Sequence, residues 1–272
     1  MTLVLAFALV TILGAVPAKA IVFGEVIESA STDYPWVASI WHSGAKDEYY
    51  SPICSGSLIT QDAVLTAAHC LNRKGTYLVQ MASDTLNGES EDTFYEIAAI
   101  WKHPRYDKDT LSNDVGLLKL TTFQNAVKPM ALATKVELAA IRKIKEFEMF
   151  GWGDNQFGDY AKYLGYTKLK NLTKVANDLF DVDDFNPISE IAAGRYIKRL
   201  GVYAGSGDGD SGGPLVATIN GVKKIVGITS WGQEDDDFKA PTAFVNVAYQ
   251  RTAIAEGLAT LPRSSMFGSR SK

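Results

Sequence analysis

With 272 residues, 46% of them apolar and 21% charged, the chain can bury a full core as one large domain or two small ones. Its net charge of −4 leaves no electrostatic footprint for a nucleic-acid partner.

Residues 1–20 read as a secretory signal peptide, because an apolar run from Leu3 to Val16 leads into Ala18-Lys19-Ala20, a small-x-small cleavage pattern. The run is too short for a membrane span, and no second stretch of the sequence is long enough for one. A secreted, extracellular, soluble protein with no membrane partner is expected. Cleavage after Ala18 competes with cleavage after Ala20. Cys54 and Cys70 are the two cysteines. In an oxidising compartment they can pair and close a loop worth roughly 3 kcal/mol of chain entropy; two unpaired buried thiols are the alternative.

Past the signal, Ile21-Val22-Phe23-Gly24 opens on an apolar residue, and Trp36 to Trp41 reads as a strand. Ser57 to Thr60 and Ala63 to Thr66 are short strands flanking Gln61-Asp62, a hairpin signal, with His69 just beyond. Acidic residues cluster from Asp84 to Asp92. Phe94 to Trp101 is a further strand, ending before His103-Pro104, and Val115 to Leu120 is a buried strand directly after Asp114. Thr121 to Ala140 connects two halves. Phe147 to Phe150 leads into Gly151-Trp152-Gly153, and helical periodicity runs from Tyr163 to Leu179. Leu215 to Ala217 and Lys224 to Ser230 are strands joined at Asn220-Gly221. Val247 to Leu258 has helical spacing, and residues 263–272 form a polar tail. Many short strands with a late helix point to an all-β sandwich or barrel.

Chemistry concentrates in Gly209-Asp210-Ser211-Gly212-Gly213-Pro214. A serine hydroxyl is a poor nucleophile unless it is held beside a base. The surrounding glycines allow positive φ and close approach of a substrate. They also let the N–H groups of Gly209 and Ser211 converge as an oxyanion hole. A flexible turn before a strand would look similar, but Thr66-Ala67-Ala68-His69-Cys70 and Asn113-Asp114-Val115-Gly116-Leu117-Leu118 supply the matching imidazole and carboxylate. Of the three histidines, His42 reads as a strand-end residue and His103 as a structural loop residue, while His69 stands apart by its neighbours Thr66-Ala67-Ala68 and Cys70.

These blocks, with Ile21-Val22-Phe23-Gly24, Ser230-Trp231-Gly232, Gly151-Trp152-Gly153 and His103-Pro104-Arg105-Tyr106, resemble the trypsin-like (chymotrypsin-fold) serine proteases from Ile21 to about Leu258. The order His, Asp, Ser is that of chymotrypsin rather than of subtilisins or α/β-hydrolases. The resemblance implies an all-β fold of two six-stranded antiparallel β-barrels, with the active site between them and a C-terminal helix. The boundaries it suggests are 21–262 for the protease domain, about 21–125 and 135–246 for the barrels and 247–260 for the helix.

By the same resemblance Ser211 attacks the scissile carbonyl, His69 shuttles the proton and Asp114 fixes and stabilises the imidazolium. Gly209 and Ser211 form the oxyanion hole, and a Cys54–Cys70 bridge braces the histidine loop. Asp210 receives the α-amino group of Ile21 in an ion pair. No Arg or Lys precedes Ile21, so signal cleavage after Ala20 would release an active enzyme without a conventional zymogen step.

Gly205, Ser230, Trp231, Gly232 and Thr242 are the expected substrate-binding residues. Gly205 takes the pocket-base position where trypsins carry Asp, which favours a neutral P1 side chain, aromatic or aliphatic, over a basic one. The acidic run Glu234-Asp235-Asp236-Asp237 reads as a solvated turn. Polypeptide substrates are expected, along with protein protease inhibitors, a monomeric state and neither metal nor cofactor. Calcium at Asp84, Glu89, Glu91 and Asp92 is the weaker reading of that loop, and Asn171-Leu172-Thr173 is an N-glycosylation sequon. The rival function is a catalytically silent homologue that binds a partner in the same cleft. Retention of His69, Asp114 and Ser211 argues against it.

Overall fold

The computed structural model describes residues 21–44, 49–86, 93–155, 162–180, 185–232 and 238–262. Its strands in chain order are β1 (Glu25–Ile27), β2 (Val37–Gly44), β3 (Ser51–Thr60), β4 (Ala63–Thr66), β5 (Gly75–Gln80), β6 (Phe94–Lys102) and β7 (Gly116–Leu120). After the connector come β8 (Glu146–Gly151), β9 (Leu164–Asn171), β10 (Glu190–Ile197), β11 (Val202–Ala204), β12 (Pro214–Ile219), β13 (Val222–Trp231) and β14 (Thr242–Asn246), then a helix, Val247–Thr260.

Two closed antiparallel barrels result, as the sequence led us to expect. The first runs β2-β3-β4-β7-β6-β5. The second runs β9-β8-β12-β13-β14-β10 and closes where Ala193 pairs with Asn171 and Gly194 with Lys170. β1 and β11 extend it as short flanking strands on β9 and β10. Closure removes the free sheet edges that would otherwise invite pairing with other chains.

Side-chain choice follows the barrels. In β7 every residue is buried, and Leu117, Leu118 and Leu120 are wholly inaccessible. The one charged member, Lys119, meets Asp62 of the β3–β4 turn at 2.5 Å. A buried cation is tolerated only with such a partner. The β12–β13 hairpin turns at Asn220 and Gly221 with φ of 51° and 78°, the signature of a type I′ turn. Between the barrels Phe150 packs on Tyr34 and Trp36, with ring centroids 4.7 and 5.9 Å apart.

The segment from Tyr163 to Leu179 departs from the helical expectation. Leu164 to Asn171 is a strand, and Thr167 and Leu169 are buried on one face while Lys168 and Lys170 on the other are exposed. Pairing with β8 on one side and β10 on the other outweighs the local periodicity. The helical part shrinks to a single 3₁₀ turn, Ala176–Asp178. Strand β3 also begins earlier than expected, at Ser51.

The C-terminal helix is capped by Asn246, whose side chain accepts from the N–H groups of Ala248 and Tyr249 at 3.1 and 3.3 Å. It lies on the first barrel: a Cβ added at Gly257 would come within 2.7 Å of the Trp101 indole. Gln250 donates to Asn113 Oδ1 at 3.0 Å. The last element among the described residues therefore supports the residue that precedes Asp114.

Candidate active site

His69 opens a short 3₁₀ turn directly after β4. Asp114 immediately precedes Val115 and β7, and Asn113 turns the chain into it with φ 56°. Strands β4 and β7 are paired, with Thr66 opposite Gly116, so the two side chains meet at one end of the first barrel. His69 Nδ1 lies 2.7 Å from Asp114 Oδ2, and the His69 backbone N–H donates to Oδ1 at 2.8 Å. Asp114 is completely buried, while the imidazole keeps a quarter of its surface exposed. A buried carboxylate facing a half-open imidazole fixes the ring and leaves its far nitrogen free to act on a neighbour.

The Ser211 loop is strapped to the first barrel. Ser55 N–H donates to the Ser211 carbonyl at 2.8 Å, and Cys70 Sγ lies 3.6 Å from the same oxygen. Cys54 and Cys70 are joined by a disulfide, so the residues beside His69 and Ser55 are covalently linked. The bridge also uses both sulfurs of the Cys54, His69, Cys70 cluster, leaving no metal-ligand set there. Gly212 has φ 81°, and a Cβ there would stand 2.1 Å from Thr66 Oγ1. Only glycine lets the loop come this close to the strand that leads to His69.

Gly209 has φ 88° and stands two residues ahead of Ser211. Asp210, between them, is wholly buried and accepts from Gly153 N–H at 2.9 Å and Gly207 N–H at 2.8 Å. Desolvation pushes its carboxyl up to about 7, against the lowering effect of those two donors. Among the described residues no Lys, Arg or His side chain pairs with it. Ile21 is fully buried in the core of the second barrel. The next residue, Val22, exchanges backbone hydrogen bonds with Gly205 at 3.1 and 3.3 Å. The start of the protease sequence and the expected pocket base are thus one hydrogen-bonded unit.

Among the described residues, those that meet Gly205 are neutral. Thr242 Oγ1 would sit 2.6 Å from a Cβ at Gly205, accepts from Ser206 N–H at 3.0 Å and pairs with the Ser206 hydroxyl at 3.0 Å. Trp231 extends from the end of β13, packs on Phe180 at 4.7 Å and donates from Nε1 to Glu190 at 2.8 Å. Gly232 follows with open space where a side chain would be.

Two contributions were missed in the sequence. Ser230, read as a substrate contact, donates its hydroxyl to Asp114 Oδ2 at 2.7 Å. Ser55 donates to the Gly209 carbonyl and accepts from Trp152 N–H, both at 2.9 Å. Its only signal in the sequence was its place beside Cys54.

His103 is buried, accepts from Arg105 N–H at 3.0 Å and is pushed below its ordinary pKa by burial. His42 lies inside β2, its ring against Tyr77. Asn171 spends its side chain internally, donating to the Ile144 carbonyl at 2.9 Å and accepting from Thr173 N–H at 3.1 Å. Asp84 accepts from Ser31 N–H. Glu89, Glu91, Asp92, Glu234, Asp235, Asp236, Asp237, the signal peptide and the polar tail lie outside the described residues. No helix among the described residues is long and apolar enough to cross a membrane.

A family model described as Trypsin matches residues 21–254. The chain is 33% identical to granzyme B of Rattus norvegicus over 83% of its own length and 88% of that protein's. It is 29% identical to chymotrypsin-C of Mus musculus, over 84% and 85% of the two chains, and 27% identical to trypsin alpha-4 of Lucilia cuprina, over 88% and 89%. Two closed antiparallel barrels, a family match over most of the length and a relative at this identity lead to one conclusion: the chain belongs to the trypsin-like serine protease family and is a serine endopeptidase.

Proposed function

We propose that the protein is secreted and cuts polypeptides through an acyl-enzyme, with Ser211 as nucleophile, His69 as general base and acid, and Asp114 as the group that orients the imidazole. The observation carrying this reading is the 2.7 Å contact between His69 Nδ1 and the fully buried Asp114, on a loop bonded to the loop of Ser211. In the reaction the Ser211 hydroxyl adds to the carbonyl carbon as its proton passes to His69. The C–N bond then breaks as His69 returns that proton to the leaving amine, and water repeats the sequence on the ester. The N–H groups of Gly209 and Ser211 hold the oxyanion, a contribution of roughly 3 kcal/mol per donor.

Signal cleavage after Ala20 frees the amine of Ile21, which pairs with Asp210 and locks the loop. The neutral base formed by Gly205, Ser206 and Thr242 favours a neutral P1 side chain, aromatic or aliphatic, because among the described residues no carboxylate stands at that base to attract Arg or Lys. Protein protease inhibitors would occupy the same cleft of a monomeric enzyme.

A fluorophosphonate probe tests the chemistry. Wild type is labelled, whereas Ser211→Ala and His69→Ala are not; labelling that survives in Ser211→Ala overturns the assignment. Profiling with P1 Arg, Phe, Leu and Ala substrates tests the pocket, and dominant cleavage after Arg refutes the neutral reading.

A further inference from the structure

Ser55 lies in β3 of the first barrel, fully buried, and its hydroxyl makes two bonds to groups beyond that barrel. It donates to the carbonyl of Gly209 and accepts from the N–H of Trp152, each at 2.9 Å. The backbone of the same residue donates to the Ser211 carbonyl at 2.8 Å and accepts from Thr66 Oγ1 at 2.9 Å. One residue therefore holds both ends of the tripeptide Gly209-Asp210-Ser211 and ties them to the strand that leads to His69.

We infer that Ser55 is a positioning residue for the oxyanion loop, acting through Gly209. The inference rests on the reading of Gly209 and Ser211 as oxyanion donors. Gly209 has φ 88°, so its backbone has more freedom than other residues would give it. An oxyanion hole works because its donors are fixed before the charge develops, and a flexible glycine needs something to fix it. The disulfide cannot do this, because it reaches only the Ser211 side of the loop. Asp210 holds Gly207 and Gly153 but makes no bond to Gly209. Trp152 adds a second constraint: its N–H occupies the hydroxyl's acceptor side, so the Ser55 proton points at Gly209.

The effect is on the transition state, where charge reaches the donors, and much less on substrate binding. Ser55→Ala removes the hydroxyl and leaves the Gly209 carbonyl and Trp152 N–H without this partner. We expect kcat to fall roughly 10- to 100-fold, below the loss for deleting a donor outright, with KM within about 3-fold of wild type. A peptide boronic acid that mimics the tetrahedral adduct should lose affinity by the same factor as kcat, while a product peptide should bind as before. A role confined to packing would lower the melting temperature and leave these ratios unchanged. Ser55→Gly, which adds no apolar group at the site, is the second variant should the alanine protein not fold, with the same pattern expected.

A folded variant with wild-type kcat, or one that loses boronate and product peptide equally, overturns the inference. Wild type that fails to react with a fluorophosphonate would overturn the oxyanion reading itself, and this inference with it.

Discussion

The Ser230 hydroxyl, on β13 of the second barrel, donates at 2.7 Å to Oδ2 of Asp114, which belongs to the first. The same oxygen faces His69 Nδ1, and the other takes the His69 backbone N–H. Three donors from two barrels therefore hold a carboxyl group that water does not reach, and both of its oxygens are bonded.

Removing one of those donors should be measurable. A hydrogen bond to a charged group is worth about 1.5–3 kcal/mol, and only the part that changes in the transition state reaches kcat. Ser230→Ala is expected to lower kcat about 3- to 10-fold and to shift the urea midpoint downward. Steady-state kinetics and equilibrium unfolding check both, and unchanged kcat would show that the bond is only structural.

What was legible in the sequence is what chemistry dictates residue by residue. Ser211, His69 and Asp114, the proposed catalytic groups, stand among neighbours that turns and close approaches require, so local composition marks them. Ser55 carries no such mark, because a single serine in a strand looks like any other until the fold brings Gly209 and Trp152 to it. Ser230 was noticed for its neighbours Trp231 and Gly232, whereas its use depends on a carboxylate 116 positions away in the chain. β9 was misread because Leu, Tyr, Lys and Leu at mixed spacing fit a helix locally, and its two sheet partners lie outside any short window.

Away from the cleft, Glu137 accepts from Lys224 Nζ at 2.7 Å and from the N–H and hydroxyl of Thr134, each at 2.8 Å. Lys224 first, then the Thr134 N–H, holds its carboxyl at about 2. A depressed carboxyl stabilises the fold above its unfolded value of 4.5, and that contribution fades as pH falls from about 4.5 through about 2. Glu137→Gln should cost about 1 kcal/mol at pH 7, and the two proteins should converge in stability near pH 2. Chemical denaturation across that range checks it; a constant difference at every pH would count against the ion pair.

Trp231 is pinned by Glu190, whose other carboxylate oxygen accepts from Asn186 N–H at 2.7 Å, with Phe180 and Phe185 behind the indole. If the indole is the wall of the groove that holds the substrate, its orientation matters only to substrates long enough to touch it. Glu190→Ala is expected to lower kcat/KM on a tetrapeptide substrate about 5- to 10-fold, the loss of one buried hydrogen bond. Glu190→Gln, which retains an acceptor, should recover most of it. Equal losses on tetrapeptide and single-residue substrates would point instead to a general loosening of the second barrel.

Asp210 should behave differently before and after the amine of Ile21 is free. With Ile21 in peptide linkage, desolvation raises this carboxyl from 3.8 to about 7. Between those values the folded chain keeps a proton that the unfolded chain has lost, so stability falls as pH rises from about 4 to about 7. Pairing with the Ile21 ammonium favours the ionised carboxylate, lowers its pKa and removes that slope. Two Ser211→Ala proteins, one starting at Lys19 and one at Ile21, should therefore diverge. The longer chain melts lower at pH 7.5 than at pH 5, and the shorter one shows no such drop. Their catalytically intact counterparts should differ in kcat as well, with the chain from Ile21 the faster. Parallel stability profiles together with equal activity would mean that Asp210 is stabilised by something other than the new amino terminus.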